Sequence, residues 1–279
     1  MIHIATILKH NVIGKLLNHL VVFFINVLIV RLLGASGSGA YFNELYALNF
    51  VVFIFSAGLD YAAIAWLSRD LKYLPVINKI LLQVICLFII FLVSTVILFP
   101  GMAKAYFQQP VSAILFFSTG NLLLIFFQGV LSALKKFNLQ NIILGACNLL
   151  FLAYLYFFFN PGDTDNLEKI AIAYAALLLI QGIMMFAFSY AKSLDNSIKV
   201  NRAAFLRSGI YIMFSSLVYF AFLRVDNFFV EKYAGNITLG NYVQCGKIGQ
   251  YFLYFSSIIS STILPFISTE TVGASYTEW

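Results

Sequence analysis

Five ionisable side chains interrupt long apolar stretches of the sequence, where a charged group is expensive. They are Glu44, Asp60, Arg224, Asp226 and Lys247. Such a group costs about 2.5–3.5 kcal/mol at the middle of a membrane helix, so it marks a functional position by default. Cations in a low-dielectric cavity bind anionic groups such as phosphate, and carboxylates there act as counter-charges or as proton or cation sites.

A structural role is the alternative for these charges. Paired charges can simply hold helices together, and Arg224 and Asp226 can extend toward the membrane surface. The helical period of 3.6 residues places Arg224, Asn227 and Glu231 on one face and Asp226 about 200° away from Arg224. On the first apolar stretch, His19 and Asn26 are expected to line the same interior.

Other residue types with chemical potential are weaker candidates. Asp163 and Asp165 have an Asp-x-Asp spacing that can hold a metal-bound sugar nucleotide, but beside Pro161 they are ordinary turn residues. The three cysteines lie in apolar stretches without metal-ligand spacing and are predicted to be packing residues; they are Cys86, Cys147 and Cys245. No catalytic group, cofactor site or metal site is predicted.

The composition indicates which elements must position these groups. Hydrophobic residues make up 62% and charged residues 10% of the 279 residues, and mean hydropathy is +0.92. Soluble domains have about 45–50% apolar and about 25% charged residues. The sequence therefore predicts an all-α, polytopic membrane helix bundle and excludes a disordered chain, a secreted disulfide scaffold and a soluble enzyme. The net charge of +6 comes without a nucleic-acid-binding pattern.

Eight stretches are long and apolar enough to cross a bilayer, which takes about 20 residues. They are residues 12–33, 40–67, 77–99, 111–134, 141–159, 170–191, 209–230 and 240–264. Eleven Lys and Arg residues lie on the side of the N-terminus and four on the opposite side, which predicts a cytoplasmic N-terminus. The first stretch loosely resembles a cleavable signal peptide, but its polar residues argue against that alternative.

A short pattern occurs twice, 201 residues apart. Arg31, Gly34, Gly39 and Tyr41 match Lys232, Gly235, Gly240 and Tyr242. This offset covers six predicted helices, so both copies have the same orientation, as in transporters built from two six-helix bundles. The repeat predicts a six-helix lobe over residues 1–200 and the first two helices of a second lobe over 201–279. It also suggests a chain that lacks about four further helices; a naturally short protein, completed by dimerisation, is the alternative.

Several of these segments resemble one family of carriers. They are residues 31–34 (RLLG), 39–41 (GAY), 57–60 (AGLD), 68–69 (SR), 224–235 (RVDNFFVEKYAG), 240–242 (GNY) and 264–268 (LPFIS). They are similar to bacterial polysaccharide (O-antigen) flippases of the Wzx type. These proteins belong to the multidrug/oligosaccharidyl-lipid/polysaccharide (MOP) exporter superfamily.

The resemblance implies a fold, a cargo and a location. The fold is a two-lobed, inverted-V carrier of twelve to fourteen helices in the bacterial inner membrane. Its cargo is an undecaprenyl-pyrophosphate-linked oligosaccharide, moved to the periplasmic leaflet by alternating access, for O-antigen, lipopolysaccharide or capsule synthesis. Arg224 and Lys247 would contact the pyrophosphate or anionic sugars. Asp60, Asp226 and Glu44 would complete the charged pathway, with a proton or sodium gradient as one option for coupling.

The expected partners are the lipid bilayer, the lipid-linked substrate and other polysaccharide assembly proteins. Two alternatives remain open. A carrier of a peptidoglycan precursor, or a multidrug/cation antiporter of the same superfamily, has nearly the same sequence features. A membrane enzyme of the same pathway is disfavoured, because no group of acid, base or nucleophile residues converges in a large external loop.

Overall fold

The computed structural model of the protein describes residues 2–99, 110–161, 166–190 and 201–270. It is 94% helical, and the described ranges contain no strand. The side chains of residues 2–8 and of most residues from 247 onward lie outside the description, as does that of Arg224. The all-α fold class is therefore confirmed, whereas the inverted-V arrangement stays a prediction.

Seven α-helices and one short 3₁₀ helix follow one another in the described part of the chain. They are α1 (Ile2–Ser56), α2 (Leu59–Arg69), the 3₁₀ helix Leu71–Tyr73, α3 (Leu74–Leu98), α4 (Val111–Ala133), α5 (Phe137–Phe158), α6 (Asn166–Tyr190) and α7 (Arg202–Glu270). Six helical segments of the described residues are long and apolar enough to cross a membrane: Lys9–Ser56, Leu71–Leu98, Val111–Ala133, Phe137–Phe158, Asn166–Tyr190 and Arg202–Gly235.

α1 and α7 are each divided by a single glycine. Gly34 has φ 69° and ψ −179°, and Gly235 has φ 76° and ψ 174°. This backbone region is open essentially only to glycine. The two positions belong to the predicted repeat, so both copies change direction at the same residue in the same conformation. A connector over residues 34–39 was expected; instead only Gly34 leaves helical geometry, and the helix resumes directly after it.

The two copies of the repeat also contact each other where α1 packs against α7. A Cβ atom added to Gly240 would collide with the carbonyl oxygen of Ala35 and would lie 3.4 Å from the backbone nitrogen of Gly39. Gly39 and Gly240 are themselves equivalent positions of the repeat. Small residues therefore let the two helices approach closely, as is usual between membrane helices.

The predicted span 40–67 is interrupted, which corrects the sequence-based prediction. Ala57 has φ 48° and Gly58 has φ 65°, and α2 begins only at Leu59. Gly58 lies against α7, since a Cβ atom there would be 2.5 Å from the carbonyl oxygen of Gly209. The apolar pattern runs through this break without change, so hydropathy alone could not locate it.

All seven α-helices contribute to the core, with α4 and α6 as the most extensive helix pair. Gly120 of α4 and Gly182 of α6 permit this approach, because a Cβ atom on Gly182 would be 2.8 Å from the carbonyl oxygen of Gly120. Phe126 and Phe127 are fully buried beside this contact. The outer surface is apolar as well: Phe222 is 80% exposed, as expected for a surface that faces lipid rather than water.

Several predictions are corrected or fall outside the description. Cys147 packs in the core as expected, but Cys86 and Cys245 are exposed, so the packing role assigned to these two is wrong. Asp163 and Asp165 lie outside the described residues. The boundary predicted between residues 200 and 201 adjoins the undescribed range 191–200, and the division into lobes stays a prediction.

Replacing either dividing glycine by alanine should destabilise the protein. Gly34→Ala and Gly235→Ala should each lower the free energy of unfolding by about 1–3 kcal/mol, because an alanine is strained at these angles even though no atom lies within 4 Å. Unfolding in mixed detergent micelles measures the effect. Gly246→Ala is the matched control, since Gly246 is helical and also has open space around it. Equal stability of all three variants would contradict the assignment.

Candidate functional site

A cavity of about 480 Å³ opens inside the helix bundle. Its volume lies within the range of about 300–1,000 Å³ that is typical of ligand sites. Five helices contribute to it: both arms of α1, then α2, α4, α5 and α6. The polar lining residues are Lys15, Asn18, His19, Asn26, Tyr41, Asp60, Tyr61, Gln128, Ser132, Asn148, Tyr174 and Gln181. The cavity combines polar and apolar lining residues, within a bundle whose outer surface is apolar.

The first arm of α1 forms one wall of this cavity. It is lined by Lys15, Asn18, His19, Val22, Ile25, Asn26 and Ile29, which follow one another at steps of three residues or one. These steps follow the helical period, so the seven side chains form a single stripe along one helix face. The first three side chains of the stripe are polar, and those after them are apolar except for Asn26. The predicted interior positions of His19 and Asn26 are confirmed.

Asp60 enters the cavity from the broken segment between α1 and α2. It lies in the first turn of α2, where the positive end of the helix dipole stabilises a carboxylate. Gly129 of α4 holds this turn in place, because a Cβ atom on Gly129 would lie 2.8 Å from the carbonyl oxygen of Asp60. The helix break thus has a positional consequence: it turns a helix N-terminus and its carboxylate toward the cavity.

Side-chain amides connect the helices around the cavity. Gln181 of α6 donates to Asn148 Oδ1 of α5 at 3.0 Å, and Asn121 of α4 donates to Asn49 Oδ1 of α1 at 2.6 Å. Gln140 donates to Ser132 Oγ at 2.9 Å. Hydrogen bonds of this kind between membrane helices contribute about 0.6 kcal/mol on average and about 1.7 kcal/mol at most. They fix the positions of the helices that form the walls of the cavity.

The three described residues among the five predicted charges are not gathered in one place. Asp60 lines the cavity, whereas Glu44 is buried on the second arm of α1 and is not among the lining residues. Asp226 of α7 is also outside the cavity. The side chains of Arg224 and Lys247 lie outside the described part of the chain, so their predicted role in anion binding stays a prediction.

α7 carries a second set of polar contacts near its dividing glycine. Tyr242 donates to Asp226 Oδ2 at 2.5 Å, which joins the two arms of α7 across Gly235. Glu231 accepts from Asn43 Nδ2 of α1 at 2.8 Å, which joins α7 to the first repeat. Asp226 and Glu231 therefore hold helices together at this point, which is the structural role that the sequence left open for intramembrane charges.

Sequence reasoning missed most of the cavity. Lys15 was counted as a cytoplasmic flanking charge, yet it lines the cavity together with Asn18. Because the predicted site residues were all ionisable, the prediction did not include the neutral amides Gln128, Asn148 and Gln181. The available signal was the recurrence of amides inside apolar helices, because each buried amide must find a partner or a ligand.

A comparison with protein-family models, with curated proteins and with solved structures finds no match for this chain. In the described ranges, no group of three or more His, Cys, Asp or Glu side chains is arranged to hold a metal ion. The site is therefore defined by its own geometry: a carboxylate, a lysine, a histidine, amides and tyrosines around one cavity.

The amide contact between Asn148 and Gln181 should be measurable as a coupling energy. Asn148→Leu and Gln181→Leu should each lower the free energy of unfolding. The loss in the double variant should be smaller than the sum of the two single losses by about 0.6 kcal/mol, and by at most about 1.7 kcal/mol. Unfolding of the unchanged protein, the two single variants and the double variant in detergent completes this double-mutant cycle. Asn141→Leu combined with Gln181→Leu is the matched control and should be additive, because Asn141 bonds to α1 instead. Additivity in the Asn148 cycle would count against the contact.

Proposed function

We propose that the protein is a transporter that moves an undecaprenyl-pyrophosphate-linked oligosaccharide from the cytoplasmic to the periplasmic leaflet by alternating access. It would be a polysaccharide flippase of the MOP exporter superfamily, located in the bacterial inner membrane with a cytoplasmic N-terminus. The observation that carries this proposal is a cavity with twelve polar lining residues inside an apolar helix bundle. Carriers need such a cavity because a hydrophilic headgroup cannot cross hydrocarbon unaided.

The chemistry of the cavity supports a sugar-containing cargo. Amide and tyrosine side chains donate and accept hydrogen bonds, which suits a ligand rich in hydroxyl groups. Asn26, Gln128 and Tyr41 supply such groups from two helices. Lys15 adds a cation that suits a phosphate or an acidic sugar. The apolar half of the stripe on α1 would face the parts of the cargo that carry no charge.

The length of α1 and α7 supports a transporter with eight membrane crossings. The apolar segment Lys9–Ser56 has 48 residues, or about 72 Å at 1.5 Å per residue, more than twice the thickness of the hydrocarbon core. Its two arms line the same cavity, which favours two crossings that turn at Gly34. The equivalent turn at Gly235 favours the same arrangement in α7.

A second candidate function is supported by the position of Asp60. A carboxylate at a helix N-terminus inside a membrane cavity suits the binding of a proton or a cation. That favours ion coupling, which a multidrug/cation antiporter of the same superfamily would share. A carrier of a lipid-linked peptidoglycan precursor is the third member of this group. These three functions differ in the molecule that is carried, so identifying the cargo distinguishes them.

Deleting the gene in the bacterium that encodes it should make lipid-linked oligosaccharide accumulate and should lower the surface polysaccharide. Complementation with Asp60→Asn or Lys15→Gln should give an export rate about tenfold or more below that of the unchanged gene. The reason is that a lost charge-assisted contact costs about 1.5–3 kcal/mol. Arg224→Gln and Lys247→Gln test the two predicted anion ligands. Polysaccharide labelling on whole cells and extraction of lipid-linked sugar give the measurement.

Lys72→Gln is the control, because Lys72 is exposed and lies outside the cavity. Normal export with unchanged lipid-linked sugar in the deletion strain would refute the cargo. Increased sensitivity to toxic cations or dyes in that strain would favour the antiporter instead. Full export by all four variants at a normal protein level would leave the charges only a packing role.

A further inference from the structure

A second cavity lies on the outside of the bundle, between α1 and α5. Its volume is about 470 Å³, and its lining residues are Phe24, Val27, Leu28, Arg31, Leu149, Leu152, Ala153, Tyr156 and Phe157. The α1 members are spaced by three, one and three residues, and the α5 members by three, one, three and one. Each set therefore forms one stripe on one helix face, and the two stripes form the walls of a groove.

Hydrogen bonds hold α1 and α5 together near one end of the groove. Asn141 at the start of α5 donates to Asn11 Oδ1 at 3.0 Å, and Asn18 donates to the carbonyl oxygen of Asn141 at 3.2 Å. Gly145 allows this approach, since its Cβ atom would lie 2.9 Å from Asn18 Oδ1. From Phe24 onward the side chains that line the groove are mostly large. The two helices run in the same direction, so the groove extends from these contacts toward their second ends.

The open end of the groove lies at the depth of the lipid headgroups. Arg31 precedes the turn at Gly34 by three residues, and Tyr156 and Phe157 are in the last turn of α5, which ends at Phe158. Tyrosine and arginine at helix ends are typical of the membrane interface. Phe24, Val27, Leu149 and Phe157 are exposed, so the groove opens outward, away from the internal cavity, and is covered by lipid in a membrane.

One cation thus stands at the headgroup end of a slot that is otherwise apolar except for the phenol of Tyr156. An arginine guanidinium binds a phosphate through two parallel hydrogen bonds, and the aliphatic and aromatic walls match a hydrocarbon chain. We infer that the groove between α1 and α5 is a binding site for an anionic bilayer phospholipid, with its phosphate on Arg31 and one acyl chain between the two stripes. This inference does not depend on the proposed cargo.

The repeat supplies a matched control for the charge. Lys232 is the equivalent of Arg31 on α7, and its Nζ lies 5.7 Å from the centre of the Tyr233 ring. No described helix of the second copy stands where α5 stands beside α1. Lys232 therefore provides a cation at the same place in the repeat but without the groove.

Native mass spectrometry of the full chain, released from nanodiscs of phosphatidylcholine with a minor fraction of phosphatidylglycerol, tests the inference. The unchanged protein should retain one phosphatidylglycerol in preference to phosphatidylcholine. Arg31→Gln should lower the retained phosphatidylglycerol about fivefold. Ala153→Phe should lower it by a similar factor, because Ala153 is exposed on the groove wall and a larger side chain fills the slot without disturbing the core. Lys232→Gln should leave it unchanged.

Four outcomes would overturn the inference. If the Arg31→Gln protein retained as much phosphatidylglycerol as the unchanged protein, Arg31 would not bind the phosphate. If the Ala153→Phe protein did so, the groove would not hold the acyl chain. Equal loss with Lys232→Gln would show a general effect of surface charge. Displacement of phosphatidylglycerol by an equimolar polyprenyl phosphate would assign the groove to a different lipid. Thermal unfolding of each variant in the same nanodiscs checks that the fold is intact, and Arg31→Lys provides a second variant with the charge retained.

Discussion

Hydrocarbon offers no hydrogen-bonding partner, and the rest of the structure depends on that constraint. A polar group placed among apolar helices is stabilised when it bonds to another group of the chain or faces an internal cavity. Pairs such as Gln181 with Asn148 and Asn43 with Glu231 meet the first condition. Asp60 meets the second, at the wall of the cavity. The same requirement leaves the outer surface to phenylalanine and aliphatic side chains.

Close backbone approach is the second organising feature, and it depends on small residues. Gly129 brings α4 against the turn that carries Asp60, Gly182 brings α6 against α4, and Gly58 brings the break after α1 against α7. Beyond Phe24, large side chains of α1 and α5 line the outer groove instead. The cavity and the outer groove therefore arise from one rule: helices touch where their residues are small and separate where they are large.

Much of the fold could be predicted from the sequence, because length and hydropathy identify helices that must cross lipid. Residues 111–134, 141–159 and 170–191 were placed within a few residues of α4, α5 and α6. The break at Ala57 could not be predicted, since it is stabilised by packing against Gly209 of α7. The site was predicted in part. Asp60, His19 and Asn26 were identified as polar groups in apolar helices, but the contribution of neutral amides depends on how five helices meet, which no single stretch of sequence encodes.

The contact between Gly39 and Gly240 has a consequence for how the two repeats can diverge. An interface in which equivalent positions meet is isologous, as in a dimer with two-fold symmetry. One surface then serves both copies, so a larger side chain at either glycine closes the same gap. A substitution at Gly240 therefore acts directly on the first copy, although the equivalent positions lie 201 residues apart. Away from this contact the copies are free to differ, as Asn43 and its counterpart Gln244 already do.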